Sequence, residues 1–511
     1  MNRRTHPLVA AVALTCTCFT LPAWAEQNPT GEPGKDDPTA GDNQSAPRVQ
    51  PSQRAAGADP GKADLPAHLA QEPAEPPKDV FLKEPQFAMF GKFKVTFLNF
   101  IEFDAFHDTT QSFQDSFGGN TPIQLSNTYA GSNGRTNFTA RNTQIGLAID
   151  GPQLWGMTAG GHCRLDFNGQ QPGTPQNGTS EYSFQNSATA RLFHCYGTLK
   201  TPYIDVLGGL TYTLFGNQPF FFPASLTFLG IPGEVFTRTT QLRFSHQFAS
   251  KHVDVFAGAA MARPPQRDAE LPDGVGAVRI LFNDWKGART IGAVGTKVDS
   301  AAIGLSGAVR KFKVQELANP PTRANEANGS GFSVDAFIPI IPAENIAKAG
   351  NSLSLTASFA RGTGISDMYV GITGGAPAQT LPAATGSTTA GPALDIDPGL
   401  AYYDTTGRLR TVNWQSTDVG AQYYLPGAGN VWLYGNFTFV KSDNLASILP
   451  APVAGTRSKI FYQQEYVAGG IFWAVIPNFQ AGFEYAYLQQ TFLDQGTAKN
   501  NRLSLSTYYV F

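Results

Sequence analysis

From residue 88 onward, apolar and polar residues alternate one by one in short segments, each ended by Gly, Pro, Asn or Asp. A period of two is the mark of a strand with two unlike faces. Sixteen such segments can be counted, at 90–108, 136–150, 156–168, 189–201, 203–215, 237–249, 252–263, 274–283, 300–311, 331–340, 352–361, 408–424, 431–441, 458–475, 479–490 and 501–511. Counts of fourteen or eighteen also fit the pattern. Every apolar run in this stretch is broken by polar residues at short spacing, so none reads as a membrane-spanning helix.

The connections alternate in length. Tight turns at Asp150-Gly151-Pro152, Thr201-Pro202, Ser250-Lys251, Pro426-Gly427-Ala428-Gly429 and Ile476-Pro477-Asn478 are separated by long polar loops such as 109–135, 169–188 and 362–407. Short turns on one side and long loops on the other are the pattern of a transmembrane antiparallel β-barrel. Two connections on the short side, 284–299 and 341–351, are longer than this pattern requires, and short helices are the expectation there.

Residues 1–25 carry Arg3 and Arg4, an apolar run from Leu8 to Phe19, and Ala23-Trp24-Ala25 ahead of Glu26. This is the layout of a cleaved signal peptide for export; the run is shorter than the roughly 20 residues an uncleaved helical anchor needs. Cys16 and Cys18 leave with it, and neither Cys163 nor Cys195 is placed for lipid attachment at the new N-terminus. Residues 26–85, rich in Pro, Ala, Gly and charge, are expected to form a disordered or polyproline-like periplasmic linker. The barrel is assigned to 86–511.

Composition agrees with strands, at 53 Gly, 12% aromatic and 15% charged residues. A soluble solenoid could share it, but no fixed-period repeat is present. Outside the signal and linker the chain holds 29 basic and 28 acidic residues. That balance gives no reason to expect nucleic acid as a partner, and selectivity must come from where charges sit.

The last segment, 501–511, puts Leu503, Leu505, Thr507, Tyr509 and Phe511 on one face and Arg502, Ser504, Ser506, Tyr508 and Val510 on the other. A terminal Phe511 with Tyr509 two residues before it resembles the closing strand of outer-membrane barrels, which the barrel insertion machinery recognises in those proteins. Hydrocarbon cannot satisfy an open sheet edge, so such strands must close on themselves. The reading is an all-β barrel of the bacterial outer membrane, facing lipid outside.

Alternation also assigns the lumen. Ile101, Phe103 and Ala105 meet lipid while Glu102, Asp104 and Asp108 point inward; Met157, Ala159, Cys163 and Leu165 oppose His162, Arg164, Asp166 and Asn168. His194, Lys200, Arg243, Arg279 and Arg310 extend a basic arc, and Glu484 adds to the acidic one. A transverse field of this kind orients and attracts small polar solutes in a confined space. The segment 216–236, GNQPFFFPASLTFLGIPGEVF, is too apolar for a solvated loop, and folding into the barrel is expected. Cys163 and Cys195 lie symmetrically about the middle of the 169–188 loop, so a regular hairpin sets them opposite each other, within disulfide reach.

The ordered series NFIEFDAFHD (99–108), ARNTQIGLAIDG (140–151), RLDFNG (164–169), FHCYGTLK (193–200), GGLTYTLF (208–215), FTRTTQLRFSH (236–246) and VNWQS (412–416) resembles the DcaP-like porins. That resemblance implies a homotrimeric channel for passive diffusion of small hydrophilic solutes, favouring small anions such as dicarboxylates. Two departures stand out: the Pro-rich stretch replaces the family's helical pre-barrel segment, and Gln144 stands where the family usually has Arg.

Other classes are weighed against this. A catalytic barrel needs a nucleophile and a base within hydrogen-bond reach, and His107, His162, His194, His246 and His252 come with no such signature. His162 and His194 without a third ligand make a weak metal site. No enzyme, cofactor or metal is expected; a non-channel adhesin or structural barrel, plugged and binding through 362–407, is the alternative.

Overall fold

The computed structural model describes residues 87–511 apart from 114, 116–121, 170–187, 228, 267–268, 294, 373–374 and 451–456. The expected signal, the linker and most of the 169–188 loop lie outside the described residues. No described helix is long and apolar enough to cross a membrane.

Strands dominate. In order they are β1 (Phe87–Phe90), β2 (Phe93–Phe97), β3 (Phe100–Asp108), β4 (Arg135–Thr139), β5 (Ile145–Leu154), β6 (Met157–Asp166), β7 (Arg191–Lys200), β8 (Asp205–Tyr212), β9 (Arg238–Phe248) and β10 (Val253–Ala262). They continue as β11 (Asp273–Thr290), β12 (Thr296–Gln315), β13 (Ala324–Ile341), β14 (Leu353–Thr363), β15 (Ala401–Tyr403), β16 (Leu409–Thr411), β17 (Asn413–Tyr424), β18 (Val431–Lys441), β19 (Phe461–Ile476), β20 (Phe479–Phe492) and β21 (Thr497–Val510). β15 and β16 form a separate two-stranded unit; the rest make one antiparallel sheet.

Each wall strand pairs with its neighbour along the chain, and β21 pairs with β3, so the ladder returns to its start. β2 and β3 are one crossing interrupted at 98–99, and β4 and β5 one interrupted at 140–144. Backbone bonds from Leu98 to Gly146 (2.9 Å) and from Phe100 to Gln144 (3.0 Å) carry the ladder across the gap. Counted this way, the described residues make sixteen crossings. β1 pairs only with β2, on the edge that β21 leaves bare where it ends at Phe511, whose N–H reaches Asn99 (3.2 Å). An uncovered edge is a template for unwanted pairing, and β1 shields it.

Outward positions carry exposed apolar side chains such as Ile101, Phe103, Phe483, Leu503 and Leu505. Cys163 and Cys195 are directly opposite in register, with Cα atoms 4.1 Å apart, and are disulfide-bonded. Just above them the register slips by one residue: Arg164 faces His194 but Leu165 faces Leu192, leaving Phe193 as a bulge. A bulge reverses the alternation beyond it. Phe193 and His194 are consequently both buried, and Arg191 reaches Asp166.

Two segments fill much of the inside. The loop 213–237 crosses to the far wall, as its apolar composition leads one to expect. Gly216 donates to Ser306 Oγ (2.7 Å) on β12, and Leu226 accepts from the Tyr508 hydroxyl (2.8 Å) on β21. The carbonyl of Ala224 accepts from Asn436 (2.6 Å) on β18, and that of Gly233 from Ser416 (2.6 Å) on β17. Gly233 sits at φ +88°, and a Cβ there would collide with Val440; only glycine allows this close approach.

The second filling segment departs from expectation. The connection 284–299 holds no helix among its described residues: three extra residues at 283–285 shift the register, and Lys286 to Thr290 then pair with Thr296 to Ser300 as a hairpin. β11 and β12 are thereby longer than the 274–283 and 300–311 segments of the sequence pattern. Gly287, Ala288, Arg289 and Thr290 are all buried, because the hairpin packs against the inner wall. In 341–351 the expected helix is a single 3-10 turn, Ile346–Lys348, capped by the Asn345 side chain (3.1 Å).

Candidate functional site

The infolded loop and the hairpin cover the inner faces of β12 to β21. A cavity of about 660 Å³ remains against β6 to β8 and the 97–100 segment, bounded by His162, Arg164, His194, Tyr196 and Tyr212 from the wall, Pro219 and Phe222 from the loop, and Gly292 and Lys297 from the hairpin.

Three residues expected to face the lumen come together here. His162 stacks on Tyr196 with centroids 5.1 Å apart and lies 5.6 Å from His194. His194 meets Phe193 and Tyr212 edge-on at 4.7 and 4.9 Å. Arg164 donates to Gln144 Oε1 (3.1 Å), so the departure at position 144 places an acceptor beside the guanidinium in place of a second cation. Among the described residues no group of three His, Cys, Asp or Glu could hold a metal.

The other basic residues divide. Arg243 donates to Gln241 Oε1 (2.9 Å) and to the Tyr212 carbonyl. Arg279 lies over Phe220 at 4.2 Å and Phe256 at 5.0 Å. Lys200 is exposed at the end of β7, in register with Asp205. Arg310 is spent elsewhere: buried near the 362–407 loop, it pairs with Asp273 and Asp367, each at 2.5 Å.

The acidic residues are covered or paired. Glu484 accepts from Tyr434 (2.7 Å) and from the backbone of Leu226 in the infolded loop (3.5 Å). Asp104 accepts from Ser506 (2.5 Å) and Asn142 (2.8 Å), with Glu102 fully buried beside it. Asp108 receives both arms of Arg502 (2.6 and 2.8 Å), and Asp166 both arms of Arg191 (2.6 and 2.9 Å). None of these five lines the 660 Å³ cavity.

Arg164, Arg238, Arg243 and Arg279 have no carboxylate within ion-pair distance among the described residues. Arg238 is an addition to the sequence reading. Its guanidinium lies 3.7 Å over the Phe193 ring and donates to the Phe193 carbonyl (2.6 Å). Strict alternation hides it, since it depends on a bulge. Arg289 and Lys297 are also additions, carried by the connection 284–299, where short helices are the expectation from sequence.

No protein-family model and no curated protein matches the sequence. Among solved structures, the outer membrane channel DcaP of Acinetobacter baumannii matches with a TM-score of 0.58 over 84% of this chain and 100% of that one, at 14% identity. Looser matches, each at a TM-score of 0.45, are OprB of Pseudomonas putida (11% identity, 81% of this chain and 94% of that one) and OmpF of Salmonella typhi (10% identity, 83% and 100%). The antiparallel sheet is thus that of a known architecture, and the chain has a DcaP-like outer-membrane porin fold.

Proposed function

We propose that this protein is an outer-membrane porin for passive diffusion of small hydrophilic solutes, favouring small anions such as dicarboxylates. The observation that carries the reading is the unequal fate of the charges. The Arg164 guanidinium lines the remaining cavity, and it and the guanidinium groups of Arg238, Arg243 and Arg279 on β9 and β11 have no carboxylate partner among the described residues, while the carboxylates of Glu102, Asp104 and Glu484 lie under cover. Unpaired cations in a cleft with low-dielectric walls raise the local anion concentration by roughly 10- to 1,000-fold. The histidines add hydrogen-bonding capacity along the same wall.

The proposal includes the outer membrane as location, a homotrimer, residues 26–85 as a periplasmic linker, and Phe511 as the signal to the insertion machinery. Reversal potential across a salt gradient in a planar bilayer tests the anion preference, and cation preference would falsify it. The filled half of the lumen gives the plugged-barrel alternative a specific basis. A protein with no stable open steps in the bilayer would decide for that alternative.

A further inference from the structure

Loop 213–237 narrows the barrel from one side; the hairpin of β11 and β12 enters from the other. It reaches far across the inner wall. The Ala288 carbonyl accepts from Ser354 (2.8 Å) on β14, Thr290 exchanges two bonds with Gln422 (2.7 and 2.9 Å) on β17, and the Ala293 carbonyl accepts from Gln480 (2.9 Å) on β20. At its tip Gly292 exchanges backbone bonds with the loop, receiving from Ser225 (3.2 Å) and donating to Pro223 (3.0 Å).

The joint is reinforced by charge. Arg289, fully buried, pairs with Asp299 (2.8 Å) and lies over Phe220 of the loop at 4.3 Å and Phe337 of β13 at 4.4 Å. Arg279 is placed 4.2 Å from the same Phe220 ring, so two guanidinium groups hold one aromatic side chain. Cation–π contacts strengthen when they are removed from water. Hairpin and loop are therefore fixed relative to each other.

Lys297 differs from these anchors. Its side chain is 48% exposed, it lines the same cavity as Arg164 and His194, and its only ion-pair partner among the described residues, Asp299 at 3.1 Å, is shared with Arg289. One carboxylate between two cations leaves the hairpin's face toward the passage positive.

We propose that this hairpin is a second constriction element, setting the width of the passage together with the infolded loop, and that Lys297 on it is a selectivity-determining residue. The inference rests on the channel reading and assigns part of its selectivity to a turn-side element.

The test uses the full-length protein in planar bilayers of defined phospholipid with potassium chloride. Lys297→Glu should lower chloride preference by about threefold, read as a shift in reversal potential. A variant with residues 288–298 replaced by Gly-Gly should conduct about twofold more per open step. Unchanged conductance in a folded shortened variant, or an unchanged reversal potential in Lys297→Glu, overturns the assignment. Should the shortened variant fail to fold, Lys297→Glu alone decides, since a half-exposed side chain can be exchanged without disturbing the wall. A wild-type protein with no open steps sinks the channel reading itself, an outcome separate from normal wild-type conduction with indifferent variants.

Discussion

The inner faces of β5–β9 and of β17–β21 are built from the same kind of alternating strand, yet they meet different surroundings. On β17 and β18, Ser416, Asp418, Gln422, Tyr434, Asn436 and Thr438 are all buried beneath the infolded loop and the hairpin. On β6 and β9, His162, Arg164 and Arg243 are only partly covered. Polar side chains on the covered half find partners in the filling segments, such as Asn436 with Ala224 and Gln480 with Ala293. On the open half, Arg164 Nε has no partner among the described residues. In a lumen read as a basic arc facing an acidic one, the unequal covering leaves a cavity lined by Arg164 and Lys297 and by no carboxylate side chain among the described residues.

The largest effect should come from a charge on the covered side. Arg310→Ala leaves Asp273 and Asp367 without their shared cation, and breaking a buried pair costs about 3–5 kcal/mol. Unfolding in detergent should shift accordingly while ion selectivity in bilayers stays as it was. A selectivity change with little loss of stability would show that the two halves are not divided as described.

Next in size, Arg164→Glu combined with Arg243→Glu should cut anion preference by about tenfold, with unfolding little changed. The same double exchange leaving the reversal potential untouched would break the link between the open half and permeation. A smaller effect is expected for Phe220→Ala, which removes the ring between Arg279 and Arg289 and about 1–2 kcal/mol of loop anchoring. Noisier open steps would register it, and steps as quiet as those of the parent protein would argue that backbone bonds alone hold the loop.

The smallest effect concerns Glu234 of the infolded loop. Burial, then the neighbouring Asp418 carboxylate, push its carboxyl well above the ordinary range, against a backbone N–H from Ile231 that lowers it. A value raised in the docked state means docking is favoured at low pH and weakens as pH rises through that value. Glu234→Gln should flatten any rise in current noise toward alkaline pH. An equally steep rise in the variant would point to another group.

Wall geometry was legible because alternation follows directly from the strand period: it put Glu102, Asp104 and Asp108 on one face and Ile101 and Phe103 on the other, as found. The infolded loop was legible too, since Pro219 to Pro223 would be costly in water. Alternation says which way a side chain points but not what it meets. Glu484 points inward as read, and only the loop's return to Leu226 takes it out of the passage. Phe193 and Arg238 were missed because a one-residue bulge leaves no mark in polarity. The hairpin was missed because Gly287 to Thr290 are all buried, so the stretch shows no alternation to mark it as strand, and its length alone suggested short helices.

The disulfide between Cys163 and Cys195 bears on how this barrel is assembled. Thiols oxidise in the periplasm, so an exported chain can acquire the bond before it meets the membrane. A crosslink closing a separation of 32 residues removes about 3–4 kcal/mol of chain entropy from the unassembled state. It also forbids any sliding of β6 against β7, and in a strand pair a one-residue slip would turn His162 and Arg164 toward lipid. The chain would then enter the membrane with one hairpin already committed to its orientation, a fixed point from which neighbouring strands can take their alignment.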